Sequence, residues 1–199
     1  KVRVFVPRND NCECWIAELK NTGKTARNLT VYAQQTWVFH NNSCWGNGEP
    51  AENVELEDSK NGFYATATNL NNPFDTLYGA FEIENCTNAY KQVKSENTLC
   101  SSKRDPARYK QFTYRYVNLF SSFTLQPGES AARTVVSAAS ENKEETVSCA
   151  AKLTNTVAAQ AAYDEVMAYW AKELDYNTCT LPDKNMERFL NTWLKYQLA

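Results

Sequence analysis

Apolar positions recur at every second residue through the first part of the chain and at about every 3.6 residues in the last part, with the change near residue 150. Val2, Val4 and Val6 alternate with Arg3 and Phe5, which predicts a strand closed by Pro7. Cys12 to Leu19 alternates again; Trp15, Ala17 and Leu19 share one face, and Cys12 and Cys14 share a face. A turn at Asn21–Lys24 precedes Leu29, Val31, Ala33, Trp37 and Phe39, a long third strand. His40 to Pro50 reads as a polar loop. Val54–Glu57 and Phe63–Leu70 flank Asn61-Gly62, the strongest hairpin signal in the chain. Leu77–Ile83 and Phe112–Leu119 are further strands, and the polar stretch 84–111 between them reads as a long surface loop, alone or with a short helix. Phe123–Leu125, Pro127-Gly128 and Ala132–Ser137 read as a closing hairpin. Many short strands with regular turn signals predict a β-sandwich.

Residues 141–156 read as a linker. Beyond it, Tyr163, Val166, Trp170 and Leu174 fall on one helical stripe. Thr180-Leu-Pro182-Asp183 has the form of a capping box, and Met186, Phe189, Leu190, Trp193 and Gln197 then keep helical spacing. The expected division is a β-sandwich over residues 1–140 and a helical segment over 141–199. The sequence opens within a strand without an initiator Met and stops while its last helix is in register, so it reads as a fragment or processed product.

Composition narrows the function classes. The 199 residues carry 21 Lys and Arg against 23 Asp and Glu. That balance speaks against a nucleic-acid binder and against a polybasic membrane-surface protein. No apolar run reaches the length of a bilayer-spanning helix. Seven cysteines, odd in number and irregular in spacing, read as buried free thiols rather than a disulfide framework, which implies a reducing cytoplasmic compartment. Three glycosylation-type triplets begin at Asn28, Asn41 and Asn85. The single histidine, His40, completes neither a catalytic triad nor a Cys/His metal site, and no phosphate-cradling glycine loop occurs. Among the carboxylates, Glu55, Glu57 and Asp58 sit on or near a hairpin. Glu82 and Glu84 are expected on the outward, solvated face of their strand. Phe112, Tyr114, Tyr116 and Trp45 are candidate stacking groups for sugar rings.

Three segments, in order, carry a family resemblance. They are Val4-Phe-Val-Pro7 with Cys14-Trp-Ile-Ala-Glu-Leu-Lys-Asn-Thr-Gly-Lys-Thr-Ala-Arg-Asn-Leu-Thr-Val31; Phe123-Thr-Leu-Gln-Pro-Gly-Glu-Ser130; and Ala162-Tyr-Asp-Glu-Val-Met-Ala-Tyr-Trp170 running on through Leu181-Pro-Asp183 to Arg188-Phe-Leu-Asn-Thr-Trp-Leu-Lys-Tyr-Gln197. Together they resemble the N-terminal region of glycoside phosphorylases of the cellobiose phosphorylase type, glycoside hydrolase family 94. The resemblance implies a mainly β chain with added helices: an antiparallel β-supersandwich of the galactose mutarotase-like kind, then linker helices leading to an (α/α)6 barrel. It implies inverting phosphorolysis of a β-glucoside, with inorganic phosphate as co-substrate and no other cofactor. The family's acid and phosphate-holding groups lie in the barrel, so no catalytic residue and no metal ligand is expected in this chain.

The implied partners are the barrel of the same or a neighbouring chain, a β-glucoside oligosaccharide and a second copy in a homodimer. Asn41, Asn42, Trp45 and Asn47 are the candidate sugar contacts on the sandwich loop, since amides satisfy hydroxyls and an indole stacks on a ring. Asn191, Trp193, Tyr196 and Gln197 are the candidate barrel-facing residues. The expected role is a non-catalytic scaffold; a stand-alone carbohydrate-binding module and a structural dimerisation domain are the alternatives.

Overall fold

The computed structural model describes residues 1–37, 52–69, 72, 74–98, 110–176 and 178–195. Among these, nine strands precede the helices: β1 (Val2–Phe5), β2 (Cys12–Lys20), β3 (Arg27–Thr36), β4 (Glu52–Asp58), β5 (Gly62–Asn69), β6 (Thr76–Ile83), β7 (Asn88–Thr98), β8 (Lys110–Leu125) and β9 (Ser130–Ser140). Then come α1 (Lys143–Leu153), α2 (Thr156–Asp175) and α3 (Lys184–Arg188), the last running into a π-helical turn over Phe189–Trp193. None of the described helices is long and apolar enough to cross a membrane.

The strands form two antiparallel sheets. A six-stranded sheet has the order β1-β2-β9-β6-β5-β4, and a three-stranded sheet the order β3-β8-β7. The larger sheet is the middle layer. One face meets the smaller sheet across Ala33, Val54, Phe63, Phe81, Ile83, Val117, Leu119 and Val135. The other meets α1 and α2 across Cys12, Cys14, Ile16, Ala80, Val136, Ala138, Cys149, Ala150, Leu153 and Ala159. Strand period two makes this possible, since successive side chains of one strand feed two different cores. β1 is an edge strand whose Phe5 packs inward, edge-on to Tyr163 at 5.4 Å, while Val2, Val4 and Val6 are exposed.

The Asn61-Gly62 signal marks a real hairpin: Asp58 pairs with Phe63, and the Ser59 N–H donates to the Gly62 carbonyl at 3.0 Å. Gly62 is needed there for close approach, because a Cβ at this position would lie 2.1 Å from the Phe81 carbonyl oxygen. The Pro127-Gly128 signal marks a different connection from the one expected. Gly128 takes φ +81°, and the Glu129 N–H donates to the Gln126 carbonyl, as a Pro-Gly type II turn requires. Yet β8 and β9 belong to different sheets, so the turn carries the chain across the sandwich instead of closing a hairpin.

Four other expectations are corrected. The polar stretch 84–111 holds β7 and the start of β8; β7 is an edge strand, and edges favour polar residues. The linker 141–156 holds α1, whose buried stripe is short and small, with Thr146, Cys149, Ala150 and Leu153. The cap of α3 is Asp183, not Thr180: its carboxylate accepts from the N–H groups of Asn185 and Met186. Glu82 is buried rather than solvated, because α1 covers the face of β6 that a two-layer sandwich would leave open.

Candidate functional site

The sequence-derived site residues fall in two places. Asn41, Asn42, Trp45 and Asn47 lie outside the described residues, as do His40, Tyr196 and Gln197. Asn191 is half-buried and bonded within the chain. Its amide oxygen accepts from the Cys179 N–H at 2.9 Å, and its amide nitrogen donates to the Cys179 carbonyl at 2.7 Å. This pair of bonds clamps the segment before α3 onto the helix that follows. Trp193, two residues beyond Asn191, is 61% exposed, and Met186, Phe189 and Leu194 stand exposed on the same short helical stretch. These four apolar side chains form a face that the sandwich leaves uncovered. Half-buried Trp170 on α2 is part of the stripe legible in the sequence.

The interface between the six-stranded sheet and the helices carries a polar network. The Glu82 carboxylate accepts from the Ser59 hydroxyl at 2.7 Å and from the Thr154 hydroxyl at 3.2 Å. Burial, and then the negative charge of Glu82, pushes the Tyr64 phenol up from its ordinary value. Two residues on, Glu84 accepts from the Thr156 N–H at 3.1 Å and from the Thr156 hydroxyl, so an acid sits at the N-terminus of α2 where the helix dipole favours it. Thr134 and Thr156 bond at 3.0 Å, and Ser140 and Thr146 at 2.8 Å. Glu82 is thus enclosed and hydrogen-bonded inside the fold, an arrangement that joins layers rather than one that reaches a substrate.

Three thiols gather on the same interface. Cys12 and Cys14 lie 3.8 Å apart, and Cys149 of α1 interacts with Cys12. Hydrogen bonding to Cys14, then burial, pushes the Cys12 thiol up to about 12. Hydrogen bonding to Cys12, then burial, raises Cys149 as well. All three are free cysteines, and so are the half-buried Cys86 and Cys179. Among the described residues no cluster of His, Cys, Asp and Glu could hold a metal ion. An open cavity of about 710 Å³ at the sheet edge is lined by Lys1, Glu18, Leu19, Lys20, Ser130, Ala131 and Ala132. Its one carboxylate, Glu18, already pairs with Lys1 and Arg3, which leaves no acid–base couple there.

Of the stacking candidates named from the sequence, Phe112, Tyr114 and Tyr116 share by register the outer face of the three-stranded sheet, whereas Trp45 lies outside the described residues; the rings of Tyr32, Tyr90 and Phe120 on that face were not singled out. Tyr32, Phe120 and Tyr90 come from its three strands and stand side by side. Ring centroids are 5.0 Å apart for Tyr32 and Phe120, and 5.5 Å for Tyr90 and Phe120, the latter pair stacked at 23°. Beneath them Asn118 is fully buried. Its amide oxygen accepts from the Tyr32 hydroxyl at 2.7 Å and from Gln34 at 2.8 Å, while its amide nitrogen has no partner. The available signal was the alternation itself: Val117 and Leu119 must face the core, which turns Asn118 and Phe120 outward.

Two antiparallel sheets face to face, with helices laid on the larger, define a β-sandwich domain. The family model "Glycosyl hydrolase 94, supersandwich domain" matches residues 1–104, and the chain belongs to that family. No curated protein matches the chain. Among solved structures it is similar to a chain described as "Putative kojibiose phosphorylase from human microbiome", with 13% identity and a TM-score of 0.42, over 81% of this chain and 18% of that one. The chain therefore spans less than a fifth of that protein's length.

Proposed function

We propose that this chain is the non-catalytic N-terminal sandwich and helical linker of an inverting β-glucoside phosphorylase. It shapes the enzyme's active site or dimer, and it docks through its last helix onto a catalytic barrel of the same or a neighbouring chain. The observation that carries this reading is the uncovered apolar face of Met186, Phe189, Trp193 and Leu194 at the end of a chain from the supersandwich family. Large apolar side chains grouped on one helical face mark a surface meant to be covered. The sealed state of Glu82 supports a scaffold role, since the best-buried carboxylate among the described residues is bound by the fold's own hydroxyls. Inorganic phosphate and a β-glucoside are then substrates of the whole enzyme, and the free thiols suit a reducing cytoplasmic compartment.

Two measurements test this. The chain incubated with cellobiose, laminaribiose or sophorose and phosphate should release no glucose 1-phosphate; release would overturn the scaffold role. Co-expressed with a family barrel stripped of its own sandwich, the chain should co-purify with it. Trp193→Asp with Phe189→Asp should abolish that association while leaving the thermal melt in place. Co-purification that ignores both changes would overturn the docking face.

A further inference from the structure

We propose that Cys12 of β2 and Cys149 of α1 are a reversible oxidation site, which hydrogen peroxide closes to a disulfide that ties the helical layer to the six-stranded sheet. The proposal goes beyond the scaffold reading and stands or falls separately from it.

Three observations converge. Cys12 is the meeting point of the thiol cluster: its sulfur lies 3.8 Å from that of Cys14 on its own strand, and its side chain also interacts with that of Cys149 across the interface. Cys12 is 7% and Cys149 5% exposed, whereas Cys14 is fully buried, so a small oxidant meets this pair before it meets Cys14. Polar contacts then hold the pair in place. The Lys152 ammonium meets the Asp10 carboxylate at 2.9 Å, and the Asn11 amide donates to the Glu145 carboxylate at 2.9 Å. Glu145 and Lys152 lie one turn before and one turn after Cys149, and Asp10 and Asn11 directly precede Cys12. The two contacts therefore straddle the thiols.

Geometry selects which two sulfurs join. Residues two apart on a strand have Cα atoms about 6.6 Å apart, near the limit of disulfide reach, and the ladder between β2 and β9 holds Cys12 and Cys14 there. Joining them would cost strand pairing. α1 makes no ladder bonds, so Cys149 closes on Cys12 without breaking any. In the reaction one thiol gives up its proton and attacks a peroxide oxygen; the O–O bond breaks, water leaves and a sulfenic acid forms. The second sulfur then displaces the sulfenic oxygen as water. Both S–H bonds are lost and one S–S bond forms; the sulfurs give up an electron pair, and hydrogen peroxide ends as water. Hydrogen bonding within the cluster, and then burial, keeps both thiols protonated, which slows the first step and leaves the pair reduced until oxidant is present. Once formed, the bond closes a loop that runs through every strand from β2 to β9.

Mass mapping of the whole chain tests the proposal. The chain is exposed to hydrogen peroxide in native buffer, its remaining thiols are alkylated, and it is digested with trypsin. The expected product is a cross-link between the peptides Asn9–Lys20 and Glu144–Lys152, with a loss of about 2 mass units and reversal by dithiothreitol. Cys14→Ala should keep the cross-link, and Cys12→Ser should abolish it. Oxidation of the unaltered chain should raise its unfolding midpoint and slow amide exchange in α1 about tenfold or more. A bond between Cys12 and Cys14, or a main product through Cys86 or Cys179, would overturn the proposal. So would sulfinic acids without any disulfide, or a cross-link that forms in urea and not in native buffer. A Cys12–Cys149 bond that leaves α1 exchange unchanged would overturn the tie between the layers.

Discussion

Phe81 and Glu82 are neighbours on β6, both almost fully buried, and they belong to different worlds. Phe81 points into the sandwich, where Phe63, Ile83, Val117, Leu119 and Val135 fill the space with large side chains. Glu82 points toward the helices. There the buried groups are mostly small, with Cys12, Cys14, Ala80, Ala138, Cys149, Ala150 and Ala159, and the polar ones are stitched by hydroxyls. The two faces of one sheet therefore hold their covers in different ways. The sandwich relies on non-directional burial of apolar area. The helical layer approaches on small residues and is then fixed in position by directional bonds from Thr154 to the Glu82 carboxylate, from Thr156 to Glu84 and Thr134, and between Thr146 and Ser140. Directional bonds set register more than they add net stability, because each replaces a bond to water.

Substitutions on β6 break this comparison most directly. Phe81→Ala should cost the most, about 3–5 kcal/mol, since it leaves a cavity in a close-packed core. Urea unfolding should show a lower midpoint with an unchanged slope. Glu82→Ala should cost less, about 1–3 kcal/mol, the penalty for stranding buried hydroxyls. Its signature should be local: amide exchange should speed up in α1 and at Thr154 while the sandwich strands keep their protection. Equal loss of protection in both layers would mean that the helices and the sandwich are one cooperative unit.

The sandwich side was the more legible of the two, and the reason is physical. Large apolar residues at period two announce themselves, so β2, β3, β5 and β6 could be read directly. β7 was missed because it is an edge strand, built of Asn, Lys, Gln and Ser and carried by the strong pattern of β8 beside it. The helical side hides its burial. Cys, Ala and Thr are small enough to suit a surface or a core, so neither α1 nor the enclosure of Glu82 could be told from the chain alone. The Pro127-Gly128 turn was read correctly as a turn, but a turn does not reveal whether the next strand joins the same sheet. Trp193 and Phe189 were legible as helix positions, and their exposure is a property of packing. The ring trio Tyr32, Tyr90 and Phe120 lies far apart in sequence and meets only through the register of three strands.

The thiols sharpen the comparison through pH. The Cys12 thiol is held from 9.0 up to about 12, and Cys149 is raised beside it. In the unfolded chain such thiols ionise near 9.0, whereas in the fold they keep their protons. Above 9.0 the unfolded state therefore binds fewer protons, so stability present below 9.0 should fall as pH rises toward 12. Tyr64, raised by burial and Glu82, acts with the same sign. The thiol share is read by comparison with a Cys12→Ser, Cys149→Ala chain, whose unfolding midpoint should decline less steeply over that interval. Parallel declines would show that the cluster does not govern alkaline unfolding.

The smallest expected effect separates the two main helices from each other. Asn142 and Asn155 cap α1 and α2 in the same way, each side-chain oxygen accepting from two backbone N–H groups of the first turn. Replacing either by Ala should cost about 1 kcal/mol of helix stability. The consequences should differ, because α1 buries Thr146, Cys149, Ala150 and Leu153 against the sheet, whereas α2 fully buries only Ala159. A helix anchored by packing passes the loss of a cap on to the whole fold; a helix with one buried anchor frays instead. Asn142→Ala should therefore lower the global unfolding midpoint, while Asn155→Ala should leave it nearly in place and speed amide exchange through the first turns of α2. The opposite pattern would mean that α2 is held to the sheet by the Glu84–Thr156 and Thr134–Thr156 bonds more firmly than α1 is by its buried stripe.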